Sequence, residues 1–183
     1  MEFTLLTEAQ KLERRDEIIA MIAACDHEFV PPLSHRYSPS QTVFTAEACT
    51  EDGLPGYVAD MCASSNILCA MEGDKILGFV AYRLDMTNQY LTAETLPNLY
   101  VAVLLVSPEA RGRGITKAFY DHLFLEKYPD RNLYTRTWST NQAHAKILRR
   151  FGLEISIRIE NDRGEGIDTV YFEKRRTGGT QGV

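Results

Sequence analysis

The stretch from Val101 to Tyr120, VAVLLVSPEARGRGITKAFY, constrains the fold more than any other part of the chain. An unbroken apolar run, Val101 to Val106, gives way to Ser107-Pro108 and then to Arg111-Gly112-Arg113-Gly114. Beyond it Ile115, Ala118, Phe119, His122 and Leu123 recur at helical spacing. The segment reads as strand, tight glycine turn, helix. The first N–H groups of such a helix have no intrahelical acceptor and lie at the positive end of its dipole. Glycine at 112 and 114 permits positive φ and close approach of an anion, and Arg111 and Arg113 add charge. The turn is therefore a candidate phosphate seat. A plain strand-to-helix connection with solvated arginines is the competing reading of the same letters.

Two nucleotide motifs are excluded by the letters. The dinucleotide fingerprint needs a third glycine where Lys117 stands, and the P-loop sequence Gly-Lys-Ser/Thr is missing. The turn instead resembles the phosphate loop of the GCN5-related N-acetyltransferases (GNAT), Gln/Arg-x-x-Gly-x-Gly/Ala after a strand ending in Val-x-Pro. Here Val106-Ser107-Pro108 precedes Arg111-Gly112-Arg113-Gly114-Ile115-Thr116, with Thr116 in place of a small residue. A second match begins at Asn141, an expected N-cap, and runs through an apolar-faced helix to a stop at Gly152-Leu153. The resemblance spans about Asn66 to Phe172.

The resemblance implies an α+β fold: a mixed, mostly antiparallel central sheet, splayed between its fourth and fifth strands and flanked by about four helices. It implies acetyl-CoA as cosubstrate. Leu104, Leu105 and Val106 would bind the pantetheine arm through their backbone. The amides of Arg111, Gly112, Arg113, Gly114, Ile115 and Thr116 would hold the pyrophosphate, and Asn141 would reach the cofactor from across the gap. The implied reaction is transfer of an acetyl or short acyl group to an amine by direct attack in a ternary complex, since no cysteine or serine nucleophile is marked by a motif.

Many members of that family use a tyrosine seven residues after the asparagine as general acid. This chain has Leu148 there. His144, one turn earlier and on a face shared with 147, 148 and 151, is the replacement candidate, as an acid titrating near neutral pH or as a group orienting the thioester. The competing reading is a histidine hydrogen-bonded within the core. Loss of the tyrosine also keeps open a catalytically degenerate acyl-CoA sensor, and a phosphate-ligand binding protein unrelated to CoA is a third reading.

Length and 44% hydrophobic content suit one domain, residues 1–176, followed by a glycine-rich tail, 177–183, expected to be flexible. The start, MEFTLLTEAQKLERRDE, lacks the basic and apolar regions of an export signal, and no long apolar segment occurs. A cytoplasmic protein with no membrane partner is expected. Cys25, Cys49, Cys62 and Cys69 show no ligand spacing, so no metal is expected and the thiols read as reduced. A net charge of −5 argues against nucleic acid as a partner. With Arg111 and Arg113 concentrated at one point, that charge suits an anionic cofactor there and a cationic acceptor elsewhere, or simply an acidic surface. The acceptor is expected to be a small-molecule amine, and a homodimer stays open.

Elsewhere, Phe3 to Leu6 reads as a short strand and Thr7-x-x-Gln10 as a capping box opening a helix to about Cys25. A proline-bearing loop covers His27 to Gln41, and a short helix is expected over Gly56 to Ser64. Asn66 to Met71 and Lys75 to Asp85 form a hairpin about Glu72-Gly73-Asp74. Leu99 to Val106 is central, Leu133 to Trp138 is a strand, and Leu153, Ile155, Ile157 and Ile159 alternate as in a half-buried strand that returns along Ile167 to Lys174. Glu28, His35, Arg36 and Tyr37 are candidates for an acceptor wall, against solvated loop residues. Tyr134, Arg136 and Trp138 share a strand face that frames a channel or packs a sheet. The loop Asp162 to Asp168 is either a lid or dimer contact, or a charged hairpin.

Overall fold

The computed structural model describes residues 1–44 and 53–176. Cys49 and the expected tail at 177–183 lie outside the described residues. Seven strands form one sheet in the order β1-β2-β3-β4-β5-β7-β6: β1 Glu2–Leu5, β2 Asn66–Glu72, β3 Lys75–Leu84, β4 Asn98–Val106, β5 Asn132–Trp138, β6 Glu154–Ile159 and β7 Thr169–Lys174. Every neighbouring pair is antiparallel except β4 with β5. The helices are α1 Glu8–Glu13, α2 Arg15–Cys25, α3 Gly53–Ser64, α4 Ile115–Tyr120 and α5 Gln142–Arg150.

β4 is apolar on both faces because both faces are covered. Leu99 and Val101 pack with Phe119 and Tyr120 of α4, Leu148 of α5 and the β5 residue Leu133. Val103 and Leu105 pack on the other face with Ile18 and Ile22 of α2 and Tyr57 and Met61 of α3. The switch of face between Val101 and Val103 comes from a bulge. The register opposite Ala81 and Tyr82 skips Ala102, leaving one extra residue on β4.

Pairing of β4 with β5 stops early. Asn98 to Val101 lie opposite Asn132 to Thr135, and beyond that point β5 pairs only with β7. The last shared point is tied by the Thr135 hydroxyl, which donates to the Val101 carbonyl at 2.9 Å. The expected splay between the fourth and fifth strands is present.

Two local expectations need correction. The first helix is two: the capping box on Thr7 forms as read, but the helix breaks at Arg14, whose guanidinium pairs with Glu17 and Asp74. Five α-helices flank the sheet among the described residues, in keeping with the expected layout. β6 is more exposed than its alternation suggests, because it is an edge strand and its register slips between Ile155 and Ile157, leaving Ile155 at the surface.

Candidate active site

The parting of β4 from β5 opens a cleft of about 790 Å³. Its walls include residues 101–106 of β4, residues 135–138 of β5, the turn into α4, the face of α5 and the loop after α2. Leu104, Leu105 and Val106 line it, and their strand edge has no partner on this side.

The glycine turn is built as an anion seat. Gly112 and Gly114 adopt φ of 78° and 74°, which other residues rarely reach, and Gly114 caps α4 without any side-chain hydrogen bond. The first helical bond runs from the Ala118 amide to the Gly114 carbonyl. The amides of Gly112, Arg113, Gly114, Ile115, Thr116 and Lys117 thus donate to no protein acceptor among the described residues. The helix continues past Tyr120 as a π-helix over Asp121–Lys127, which nothing in the apolar spacing announces. Arg111 and Arg113 are exposed, and each meets a carboxylate: Arg111 pairs with Glu28 at 2.7 Å and Arg113 with Glu72 at 2.5 Å. These residues fit a pyrophosphate, because the unclaimed amides and two guanidiniums on exposed, exchangeable pairs are what such a group needs.

On the far wall Asn141 caps α5, accepting from the His144 amide at 3.2 Å and donating to Thr137 at 3.1 Å. His144, Ile147 and Phe151 face the cleft as their spacing implies, but Leu148 does not. It is fully buried in the core between α4 and β4. His144 is half-buried, with Nε2 3.1 Å from the Tyr120 hydroxyl. Burial pushes its imidazole down to about 4, so the ring is neutral near pH 7. That corrects the expectation of titration near neutrality.

The acceptor-wall candidates divide. Glu28 and Arg36 line the cleft, whereas His35 and Tyr37 do not, and Tyr37 is exposed. Arg136 and Trp138 line it, while Tyr134 packs with Tyr100 and Tyr171. The loop before β7 contributes Arg163, which lines the cleft and donates to the Val30 carbonyl at 2.6 Å. A cationic acceptor was one expectation, but this wall carries arginines. Glu28 is the only carboxylate in the cleft wall among the described residues.

No group of three or more metal-ligating side chains occurs among the described residues. Cys25, Cys62 and Cys69 are free thiols, and burial raises each. No helix among the described residues is long and apolar enough to cross a membrane.

A mixed sheet parted at one parallel pair, with an uncapped glycine turn at the mouth of the gap, is an arrangement with room and donors for an extended phosphate-bearing group between two strands. The family model for the acetyltransferase (GNAT) family matches residues 31–153, and the chain belongs to that family. Among curated proteins none matches the sequence significantly. Solved structures share the fold at low identity. An N-acetyltransferase from Staphylococcus aureus Mu50 superposes with a TM-score of 0.64 at 16% identity, over 96% of this chain and 98% of that one. The yncA protein of Salmonella typhimurium, solved with its cofactor acetyl-CoA, gives 0.63 at 12% over 100% and 98%. A ribosomal-protein-alanine N-acetyltransferase from Brucella melitensis gives 0.60 at 14% over 96% and 99%.

Proposed function

We propose that this acetyltransferase moves an acetyl group from acetyl-CoA to the nitrogen of a small amine by direct attack in a ternary complex. One observation carries the reading: the unclaimed amides of the glycine turn and the unpaired edge of β4 open into the same cleft. In the reaction the amine lone pair forms the C–N bond, the C–S bond breaks, and the nitrogen proton leaves to water while the departing sulfur needs a proton or a donor.

The amides of Gly112 to Thr116 hold the pyrophosphate, that of Arg111 being taken by the Pro108 carbonyl, and the backbone of Leu104, Leu105 and Val106 aligns the pantetheine. A backbone N–H near Leu105 or Val106 supplies the donor where oxyanion charge develops. Asn141 fixes the start of α5 and with it His144. In the tautomer whose Nε2 accepts from the Tyr120 hydroxyl and whose Nδ1 carries the proton, a neutral His144 acts as hydrogen-bond donor to the leaving sulfur. That role needs no imidazolium and replaces the family tyrosine, whose position, Leu148, is out of reach in the core.

The test is calorimetric titration with acetyl-CoA, followed by CoA release in the presence of amines. Micromolar binding, weakened roughly tenfold by the paired substitution Arg111→Ala, Arg113→Ala, with amine-dependent turnover, supports the reading. Saturable binding with no turnover on a broad amine panel would leave the acyl-CoA sensor. Absence of binding would remove the CoA seat altogether.

A further inference from the structure

Arg36, Arg136 and Arg163 come from three distant elements, the loop after α2, strand β5 and the β6–β7 connection, yet all three are buried and all line the cleft. Their guanidinium carbons lie 5.3, 5.2 and 4.4 Å from the centre of one ring, that of Phe44. None takes part in an ion pair among the described residues. Among the described residues their protein acceptors are all neutral. Arg36 donates to the carbonyls of Val30 and Pro31, and Arg136 to those of Pro39 and Gln41 and to the Tyr171 hydroxyl. Arg163 donates to the Val30 carbonyl and the Thr169 hydroxyl. Among the described residues Asp26 and Asp162 reach them through their fields without forming an ion pair, Asp26 accepting from Ser34 and Asp162 from Thr169.

Buried like charges are costly unless something of opposite sign meets them. Aromatic faces of Phe44 and Trp138 recover part of that cost. The rest shows in the groups themselves: burial, and then Arg36 and Arg136, push the Arg163 guanidinium down to about 8, and burial brings Arg36 to about 10. Nη1 of Arg36 and Nη2 of Arg163 have no protein acceptor among the described residues. The hydroxyls of Tyr57 and Tyr100, within the field of Arg36 and Arg136, are buried with no partner among the described residues.

The position of this cluster excludes the phosphate seat as its purpose. Side chains alternate along β5, so Leu133 faces α4 and α5 while Tyr134 and Arg136 face the other side. The glycine turn opens α4 on the first side. The arginines wait on the second, where an acceptor would approach the gap.

We infer that the acceptor amine carries an anionic head, a carboxylate or its phosphonate or phosphate equivalent, received by Arg36, Arg136 and Arg163 beneath the Phe44 ring. This rests on the amine-acetyltransferase reading and adds the acceptor class to it. An amino acid or an aminophosphonate has the required form: a nucleophilic nitrogen a short, fixed distance from a charge that planar guanidiniums bind.

The experiment compares matched amines with acetyl-CoA: a panel of amino acids, their carboxamides, their decarboxylated amines and the corresponding aminophosphonates, read as CoA release. The inference expects kcat/KM for one anionic series to exceed that of the uncharged and decarboxylated forms by at least about a hundredfold. Preference between carboxylate and phosphonate tells which anion the site takes. Arg163→Met should abolish that preference while leaving acetyl-CoA affinity by calorimetry unchanged, and a melting curve checks that the variant is folded, since it also loses the hydrogen bonds to Val30 and Thr169. Turnover of decarboxylated amines equal to that of the acids overturns the inference and leaves the acetyltransferase reading intact. A readout independent of turnover uses Trp138, the single tryptophan, which lines the cleft. N-acetylated amino acids and their phosphonate counterparts should change its fluorescence in the native protein and not in Arg163→Met. That result without any turnover would sustain the anion site while the acetyltransferase reading fails. No fluorescence response to either anion, with no anionic preference in turnover, sinks the proposal.

Discussion

The Tyr120 hydroxyl stands 3.1 Å from Nε2 of His144, joining α4 to α5 across the floor of the cleft. Tyr120 is itself buried, which raises its hydroxyl and keeps it protonated, and its ring packs 5.3 Å from that of Phe151. The pair thus orients a neutral imidazole at the start of α5. Tyr120→Phe keeps the packing and removes that hydrogen bond. It should lower kcat about tenfold, with KM for acetyl-CoA little changed and stability down by about 1 kcal/mol. Steady-state kinetics beside a melting curve separate this from a purely structural role, in which only the melting temperature would move.

Acid sensitivity follows from the same histidine. Its ordinary value is 6.5 and burial lowers it to about 4, so between those values the unfolded chain binds the extra proton. Its contribution to stability is complete above about pH 6.5 and is lost as pH falls toward 4. The loss amounts to ~1–3 kcal/mol, and His144→Gln should flatten that part of the pH profile. Denaturant midpoints at pH 7, 5.5 and 4 in both proteins check this. Equal slopes would remove His144 as the cause.

The pairs at the phosphate seat predict an unusual direction. Glu28 and Glu72 compete with an incoming phosphate for Arg111 and Arg113. Glu28→Gln and Glu72→Gln should each tighten acetyl-CoA binding roughly threefold at low salt, with the gain shrinking as salt rises. Calorimetry at two ionic strengths decides it, and weaker binding in both variants would show that the carboxylates support the seat instead.

Gly78 on β3 has no room for a side chain. A methyl group there would meet the Leu105 carbonyl oxygen at 2.6 Å and the Val106 Cα at 3.1 Å, both backbone atoms that cannot swing away. Gly78→Ala should cost ~1–3 kcal/mol and, by displacing β4, weaken acetyl-CoA binding as well. Thermal melts and titration of one preparation test the two effects together.

Much of this site was legible locally, because its parts are local. The glycine turn from Arg111 to Thr116 and the Asn141 cap with its Gly152 stop are each written within about a dozen consecutive residues whose backbone needs only those letters. What escaped reading depends on distant partners. Nothing near Arg14 breaks a helix by itself, and its guanidinium meets Asp74, a residue sixty positions away, as well as Glu17. The face of α5 was read as one stripe, but the cleft divides it, taking His144 and Ile147 and leaving Leu148 to the core. The arginine cluster was the least legible. Arg36 was readable as an acceptor-wall candidate or a solvated loop residue, Arg136 as part of a channel face or of sheet packing, and Arg163 as one charge among several in a loop; only the topology brings them to one aromatic ring.

The early end of β4–β5 pairing has a mechanical meaning as well. The two blades of the sheet last meet at Val101 and Thr135, so the gap between them is narrowest there and widest at the tips, where Val106 and Trp138 stand. By geometry, a small change of angle at the closed end is magnified at the open one. The width of the cleft is therefore set where the strands part: Thr135→Val, which removes the hydroxyl tied to the Val101 carbonyl, should alter how wide the jaws rest.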